Sequence, residues 1–221
     1  MRNIIRAAAV AAIALILCAA AQAGIARADS LPTAEVLWEK ITQVNPGLND
    51  YSVDLKIKVA AKYQFLNPRL DLEGTYYFKK PDRHKLKLKK ASYFLNKYPN
   101  IFGWSLPPLK EFNTGVKTGN LGGRDYYVVT LTPKTIAGDI QSEEIWVDQK
   151  DYTFPRHIYR YKSGGVITLN ITYRRESRFQ VFDRMNASFA FPSENLNATA
   201  DAAYGQYRLN QGIPDSFFDQ N

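Results

Sequence analysis

Two histidines, His84 and His157, one cysteine, Cys18, and the adjacent carboxylates Glu143 and Glu144 are the side chains from which a reactive centre would have to be assembled. Two histidines are too few for a histidine-rich metal site, and no H-E-x-x-H pattern occurs. Glu143 and Glu144 fall on a predicted strand, where neighbours point to opposite faces, so they do not make a facing carboxylate pair. No G-x-S-x-G elbow is present, and the glycine pairs at Gly122 and Gly164 lack a phosphate-loop context. His157 has no partner that the sequence can assign, and reads as a surface or sheet histidine rather than a base. Neither catalysis nor a cofactor nor a metal is expected. The sequons at Asn170, Asn186 and Asn197 read as chance occurrences beside a bacterial-type leader.

The other chemically loaded stretch is basic. Lys79, Lys80, Arg83, Lys85, Lys87, Lys89 and Lys90 crowd twelve residues. Their spacing decides the reading. Leu86 and Leu88 alternate with Lys85, Lys87 and Lys89, so a strand places all these lysines on one face. That face is expected to stay wet and to discourage edge-to-edge pairing. A nucleic-acid reader would interleave aromatics or arginines on the same face, so no nucleic-acid partner is expected.

The elements that carry these residues begin after a leader. Residues 1–28 hold Arg2 and Arg6, an alanine-rich apolar run and an A-x-A site at Ala26–Ala28, with a second at Ala21–Ala23. This is the pattern of a secretory signal peptide, too short and alanine-rich for a membrane span. Its removal takes away three arginines and no acids, lowering the formal charge from +8 to +5, and takes the only cysteine. What remains, 29–221, must fold without disulfides, and it is long enough for a single core. A helix is predicted from Thr33, a capping residue, through Val36, Leu37, Ile41 and Val44 to the stop at Pro46-Gly47.

Nearly all the rest reads as strand. Tyr51, Val53, Leu55, Ile57, Val59, Tyr63 and Phe65 alternate with polar residues, and Leu70, Leu72, Gly74, Tyr76 and Phe78 do likewise before a Lys-Pro-Asp-Arg turn. Strands follow at "GGRDYYVVTLTP" and "SEEIWVDQ", then as two strands joined at Ser163-Gly164-Gly165, then as shorter pieces. The exception is 91–112, which is crowded with aromatics, including Phe102 and Trp104, but has no clean period. It is expected to be a helical or irregular lid over apolar surface. Trp38 and Trp146 read as core residues.

About ten strands at ~4.8 Å spacing make a sheet ~50 Å across, which one helix ~10–12 Å wide does not cover. The expected fold is therefore mainly β: a strongly curved antiparallel sheet, an incomplete barrel, with an N-terminal helix and a lid. Such a sheet either packs solid or keeps an apolar cavity. The inward rows Val53, Leu55, Ile57, Tyr76, Phe78, Leu86 and Leu88, with Phe102 and Trp104 at the mouth, are the candidate ligand-binding residues.

The order of the helix, "DYSVDLKIKV", "GTYYFKKPDRHKLKL", "GRDYYVVTLTP", "EIWVDQKDYTFPRHIYRY" and "GGVITLNITYRR" resembles the LolA/LolB-like outer-membrane lipoprotein-sorting carriers of bacteria. The likeness runs from about Leu31 to Asn210. In that family an Asp ends an apolar strand where the chain changes direction, as Asp148 does here. The family's hairpin carries Arg before the proline and an aromatic after it, where this chain has Lys80 and His84. The resemblance implies a periplasmic, non-enzymatic, monomeric carrier of lipid, acyl chain or acylated lipoprotein, meeting envelope proteins or a membrane surface only transiently. The alternative is an envelope regulatory or scaffold protein using the same sheet to bind a protein partner.

Overall fold

The computed structural model describes residues 30–89, 103, 106–135 and 138–219. The leader at 1–28 and the lid residues Phe102 and Trp104 lie outside the described residues. Helix α1 (Ala34–Thr42) starts where Thr33 Oγ1 accepts the amide of Val36, and buries Ala34, Leu37 and Ile41. It ends before Val44, and Val36 is exposed rather than inward. The helix is too short to cover the sheet.

Ten strands follow: β1 (Asp50–Tyr63), β2 (Arg69–Lys79), β3 (Arg83–Leu88), β4 (Phe112–Leu121), β5 (Arg124–Pro133), β6 (Ile140–Asp148), β7 (Arg156–Tyr161), β8 (Val166–Glu176), β9 (Phe179–Phe191) and β10 (Leu196–Leu209). They form one antiparallel sheet in the order β3-β2-β1-β10-β9-β8-β7-β6-β5-β4, left open between β3 and β4. Leu72 and Tyr76 of β2 share one buried cluster with Val129 and Leu131 of β5, near the opposite edge, so the sheet curls on itself as an incomplete barrel. Register shifts in β1 at Val53/Leu55, in β6 at Ile140/Ser142 and in β8 at Thr172/Tyr173 supply local bends that help a long sheet curl.

The period-two reading of β1 holds through Val59 and fails beyond it. Tyr63 closes a tight turn with Leu66, and Phe65 at its tip is 83 % exposed. Strand β4 escapes the hydrophobic pattern because "NTGVKTGN" offers one apolar residue in eight. It is an edge strand, so no second neighbour demands apolar side chains. Of the shorter pieces read after Arg175, "SRFQVFDRM" and "ASFAF" merge into the single long strand β9, and "ADAAYGQYRLNQGI" falls on β10.

Asp148 turns the chain as expected. Its buried carboxylate accepts the amides of Lys150 at 2.8 Å and Asp151 at 3.4 Å and meets Arg124 at 3.2 Å. An equivalent clamp joins the start of β1 to the residues that follow β10. Asp50, 4 % exposed, accepts the amides of Gln211 and Gly212 at 2.7 and 3.1 Å, while its carbonyl takes that of Asn210.

The basic row stays wet at Lys87 and Lys89 but is partly covered at Lys79, Arg83 and Lys85. The register pairs Tyr77 with Lys85, Lys79 with Arg83 and Thr75 with Lys87, which confirms the shared outer face. Residues 213–219, ending in a short helix α2 (Ser216–Asp219), lie across it. The alternation was read correctly, but a single-strand pattern carries no information about a segment 130 residues away.

Candidate functional site

The concave face has a filled middle and a hollow end. Val53, Leu55, Ile57 and Tyr76 lie in one closed core with Phe182, Met185, Phe189 and Tyr204. Gly103, the one described residue of the lid stretch between 90 and 105, has its backbone hard against the Tyr76 ring and hydroxyl, where a side chain would have no room. Burial pushes the Tyr51, Tyr204 and Tyr207 phenols far up, so they stay neutral at any physiological pH.

At the end beneath α1 is a cavity of about 530 Å³. Trp38 and Ile41 reach it from the helix, Leu48 and Tyr51 from the entry to β1, Phe78 from β2, Pro107 and Pro108 from the segment before β4, and Val181 and Phe182 from β9. Polar groups stand around it: Thr42, Asn45, Lys80, Asp82 and Gln180. Long-range hydrogen bonds fix these walls. Asn45 clasps the backbone of Gln180 from both sides, donating to its carbonyl at 2.7 Å and accepting from its amide at 2.8 Å. Trp38 Nε1 donates to the Pro107 carbonyl at 3.0 Å, and Lys80 Nζ to the Asn45 carbonyl at 3.2 Å. A greasy hollow with a polar rim can receive a hydrocarbon tail and leave a polar head outside.

Of the sequence-predicted residues, Phe78 lines this cavity. Val53, Leu55, Ile57 and Tyr76 are instead core residues, and Leu86 and Leu88 pack against that core from β3. The reason is curvature. Inward rows in the middle of a tightly curled sheet meet one another, whereas at the end under a short helix no opposing strand stands among the described residues. Sequence reasoning missed Asn45, Leu48, Lys80, Gln180 and Val181. Trp38 packs half-buried against the core, as its sequence context suggests, and also forms part of the cavity wall. Trp146 is half-buried on the outer face, with Arg156 5.7 Å above its ring.

A second feature was also missed. Glu143 and His157 do have partners: each other. His157 Nε2 and Glu143 Oε2 are 2.9 Å apart, with side chains 4 and 6 % exposed. Register explains the meeting, since Glu143 stands opposite Tyr159 and His157 opposite Ile145, placing all four on the concave side. Tyr159 stacks on His157 at 4.0 Å between ring centres, and burial, with the Glu143 charge adding to it, pushes its phenol well up. The pair satisfies itself within the sheet and is not part of the cavity wall. Among the described residues no three His, Asp or Glu side chains converge to hold a metal ion. No described helix is long and apolar enough to cross a membrane.

Solved structures share this architecture. A LolA superfamily protein from Nitrosomonas europaea superposes with a TM-score of 0.60 at 13 % identity, covering 86 % of this chain and 99 % of its own. The chain has the LolA fold. An outer membrane lipoprotein-sorting protein domain from Vibrio parahaemolyticus gives 0.60 at 11 % identity over 83 % of this chain and 95 % of that one. A DUF1329 family protein from Desulfovibrio piger gives 0.58 at 12 % identity over 85 and 98 %. No family model and no curated protein matches the sequence. The likeness thus lies in the LolA-type sheet and its helix, not in shared residues.

Proposed function

We propose that this chain is a periplasmic, non-enzymatic carrier that takes the acyl chain of a lipid or lipoprotein into the hollow beneath α1. The observation that carries the proposal is that cavity, at about 530 Å³. A methylene needs roughly the room of one water in the liquid, about 30 Å³. The hollow therefore suits one chain of on the order of 15 carbons, within the usual range for small-molecule pockets. Its walls are mainly aromatic and aliphatic, and Lys80, Asn45 and Gln180 stand where a polar head would remain. The LolA-like architecture supports the same reading, and the self-paired Glu143 and His157 ask for no chemistry in it.

The test is a titration with an environment-sensitive fluorescent fatty acid. The chain without its leader is expected to bind one equivalent, and Val181→Trp, which fills the hollow, is expected to bind at least tenfold more weakly while melting within a few degrees of wild type. Equal uptake by the two proteins would remove the cavity from the account. Absence of uptake by wild type would end the carrier reading.

A further inference from the structure

Residues 213–219 lie on the outer face of the β2–β3 hairpin in a recurring pattern. Lys79 Nζ meets the Ile213 carbonyl at 2.8 Å and the Asp215 carboxylate at 2.8 Å. Arg83 Nη1 reaches the Asp215 carbonyl at 3.2 Å and the Asp219 carboxylate at 2.8 Å. Lys85 Nζ donates to the Phe217 carbonyl at 3.1 Å. The Phe217 ring rests 4.6 Å from that of Tyr77, with Lys85 and Lys87 ammonium groups 5.3 and 4.4 Å from its centre. The hairpin thus reads three alternate backbone carbonyls, at 213, 215 and 217, one aromatic ring, and an acid two positions to either side of it. Reading main-chain groups together with spaced side chains is how peptide-binding surfaces work.

The segment is attached in a way that lets it leave. Asp50 holds the chain as far as Gly212, whose φ of +69° favours glycine. Beyond that point the Lys79–Asp215 and Arg83–Asp219 pairs sit at the surface, their acids 65 and 67 % exposed. Exposed ion pairs hold weakly and are screened by salt. Removing the segment would uncover Tyr77, Lys79, Arg83 and Lys85 beside the already exposed Lys87. Among the described residues, the acids ion-paired to Lys79 and Arg83 are Asp215 and Asp219, both in the departing segment.

We propose that the outer face of the β2–β3 hairpin is a binding site for peptide segments of the form Asp-x-Phe-x-Asp, which the chain's own residues 215–219 occupy in cis. A partner protein bearing such an acidic-aromatic segment docks by displacing them. This site is separate from the cavity and does not depend on a lipid being bound. A short tether gives the resident segment an effective concentration on the order of millimolar, so a peptide of tens-of-micromolar affinity is disadvantaged at least tenfold until the segment is released.

The probe is a fluorescent synthetic peptide with the sequence of residues 211–221, followed by polarisation. The full chain carrying Asp215→Asn and Phe217→Ala is expected to bind it in the tens of micromolar at low salt, at least tenfold more tightly than wild type. Adding Lys85→Glu, or replacing the peptide's phenylalanine at the Phe217 position with alanine, is expected to abolish binding. A readout on otherwise unaltered protein guards against misfolding: Lys85→Glu alone should speed chymotryptic cleavage at Phe217-Phe218 severalfold, leaving uptake of the fatty-acid probe unchanged. Equal peptide binding by wild type and the released variant would overturn the proposal, as would binding indifferent to Lys85→Glu. Binding of the released variant to phosphatidylglycerol vesicles but not to the peptide would overturn it too, assigning the face to anionic membrane instead.

Discussion

The middle of the concave face and its end under α1 are built from the same kinds of residue, yet one is solid and the other hollow. In the middle, Ile57, Phe189 and Ala200 come from the neighbouring strands β1, β9 and β10, and curling pushes such side chains into one another until almost nothing is exposed. At the end, the place of an opposing strand is taken by a nine-residue helix and the chain at 106–108, held by a few hydrogen bonds. Apolar composition does not distinguish a core from a pocket. What distinguishes them is whether a second layer arrives to fill the space.

The sharpest way to break this comparison is to delete bulk in the middle. Phe189→Ala is expected to cost about 3–5 kcal/mol of stability, measured by urea denaturation, because its ring is 2 % exposed and its neighbours cannot collapse into the void. Fatty-acid uptake per folded molecule should survive it. Phe78→Ala should do the reverse in proportion, lowering probe affinity by about tenfold while costing less stability than Phe189→Ala, since its ring borders space that is already empty.

The buried pair sharpens the contrast next. Glu143→Leu strands the His157 ring nitrogen and is expected to cost about 1–3 kcal/mol. Replacing both partners, with His157→Phe added, should recover more than half of that loss in a double-mutant cycle. Additive costs would show that the 2.9 Å contact contributes nothing of its own.

The smallest effect is acid release of the C-terminal segment. The Lys79 ammonium beside Asp215 holds that carboxyl below its usual range, so its contribution is present at neutral pH and lost as pH falls through the lowered value, on the acid side of the ordinary carboxylate range. Asp219 beside Arg83 and the overlying Lys85 and Lys87 are the other charged groups at that contact among the described residues. Tyr77 ring resonances, shifted by Phe217, should move toward exposed values over that acid range. Resonances that stay constant down to pH 3 would show that the ring stacking, not the ion pairs, holds the segment.

How much of this could be read from the chain alone depends on how local the cause is. The row of β1 as far as Val59, the row of β2 from Leu72, the Thr33 cap and the Ser163-Gly164-Gly165 hairpin are set by neighbours a few residues away, and each was legible, whereas the exposed Leu70, Tyr63 and Phe65 lie where that alternation ends. Strand β4 was not, because an edge strand rich in glycine and threonine carries no alternation. The cavity depends on Asn45 finding Gln180, 135 residues later. The Glu143–His157 contact depends on the register of a hairpin, and the fate of the lysine row on a segment arriving from the far end. The two carboxylates and two aromatic rings of "DSFFD" form no period that assigns them a role, and only the folded chain identifies what they contact.

Because β1 hydrogen-bonds to β10, the sheet is completed at its centre by the last strand to be made. Until then β1, β2 and β3 are a three-stranded ribbon with one flank open, and Asp50 waits for amides that lie some 160 residues downstream. The strands from β1 to β3 and from β4 to β10 can pair with their neighbours in sequence as they are made, but the β1–β10 seam that joins the two halves brings distant partners together last, which makes its closure the slow step. Any helper that engages the nascent protein therefore has a long interval in which to do so, and a clipped terminus should be felt in the sheet's middle rather than at its margin.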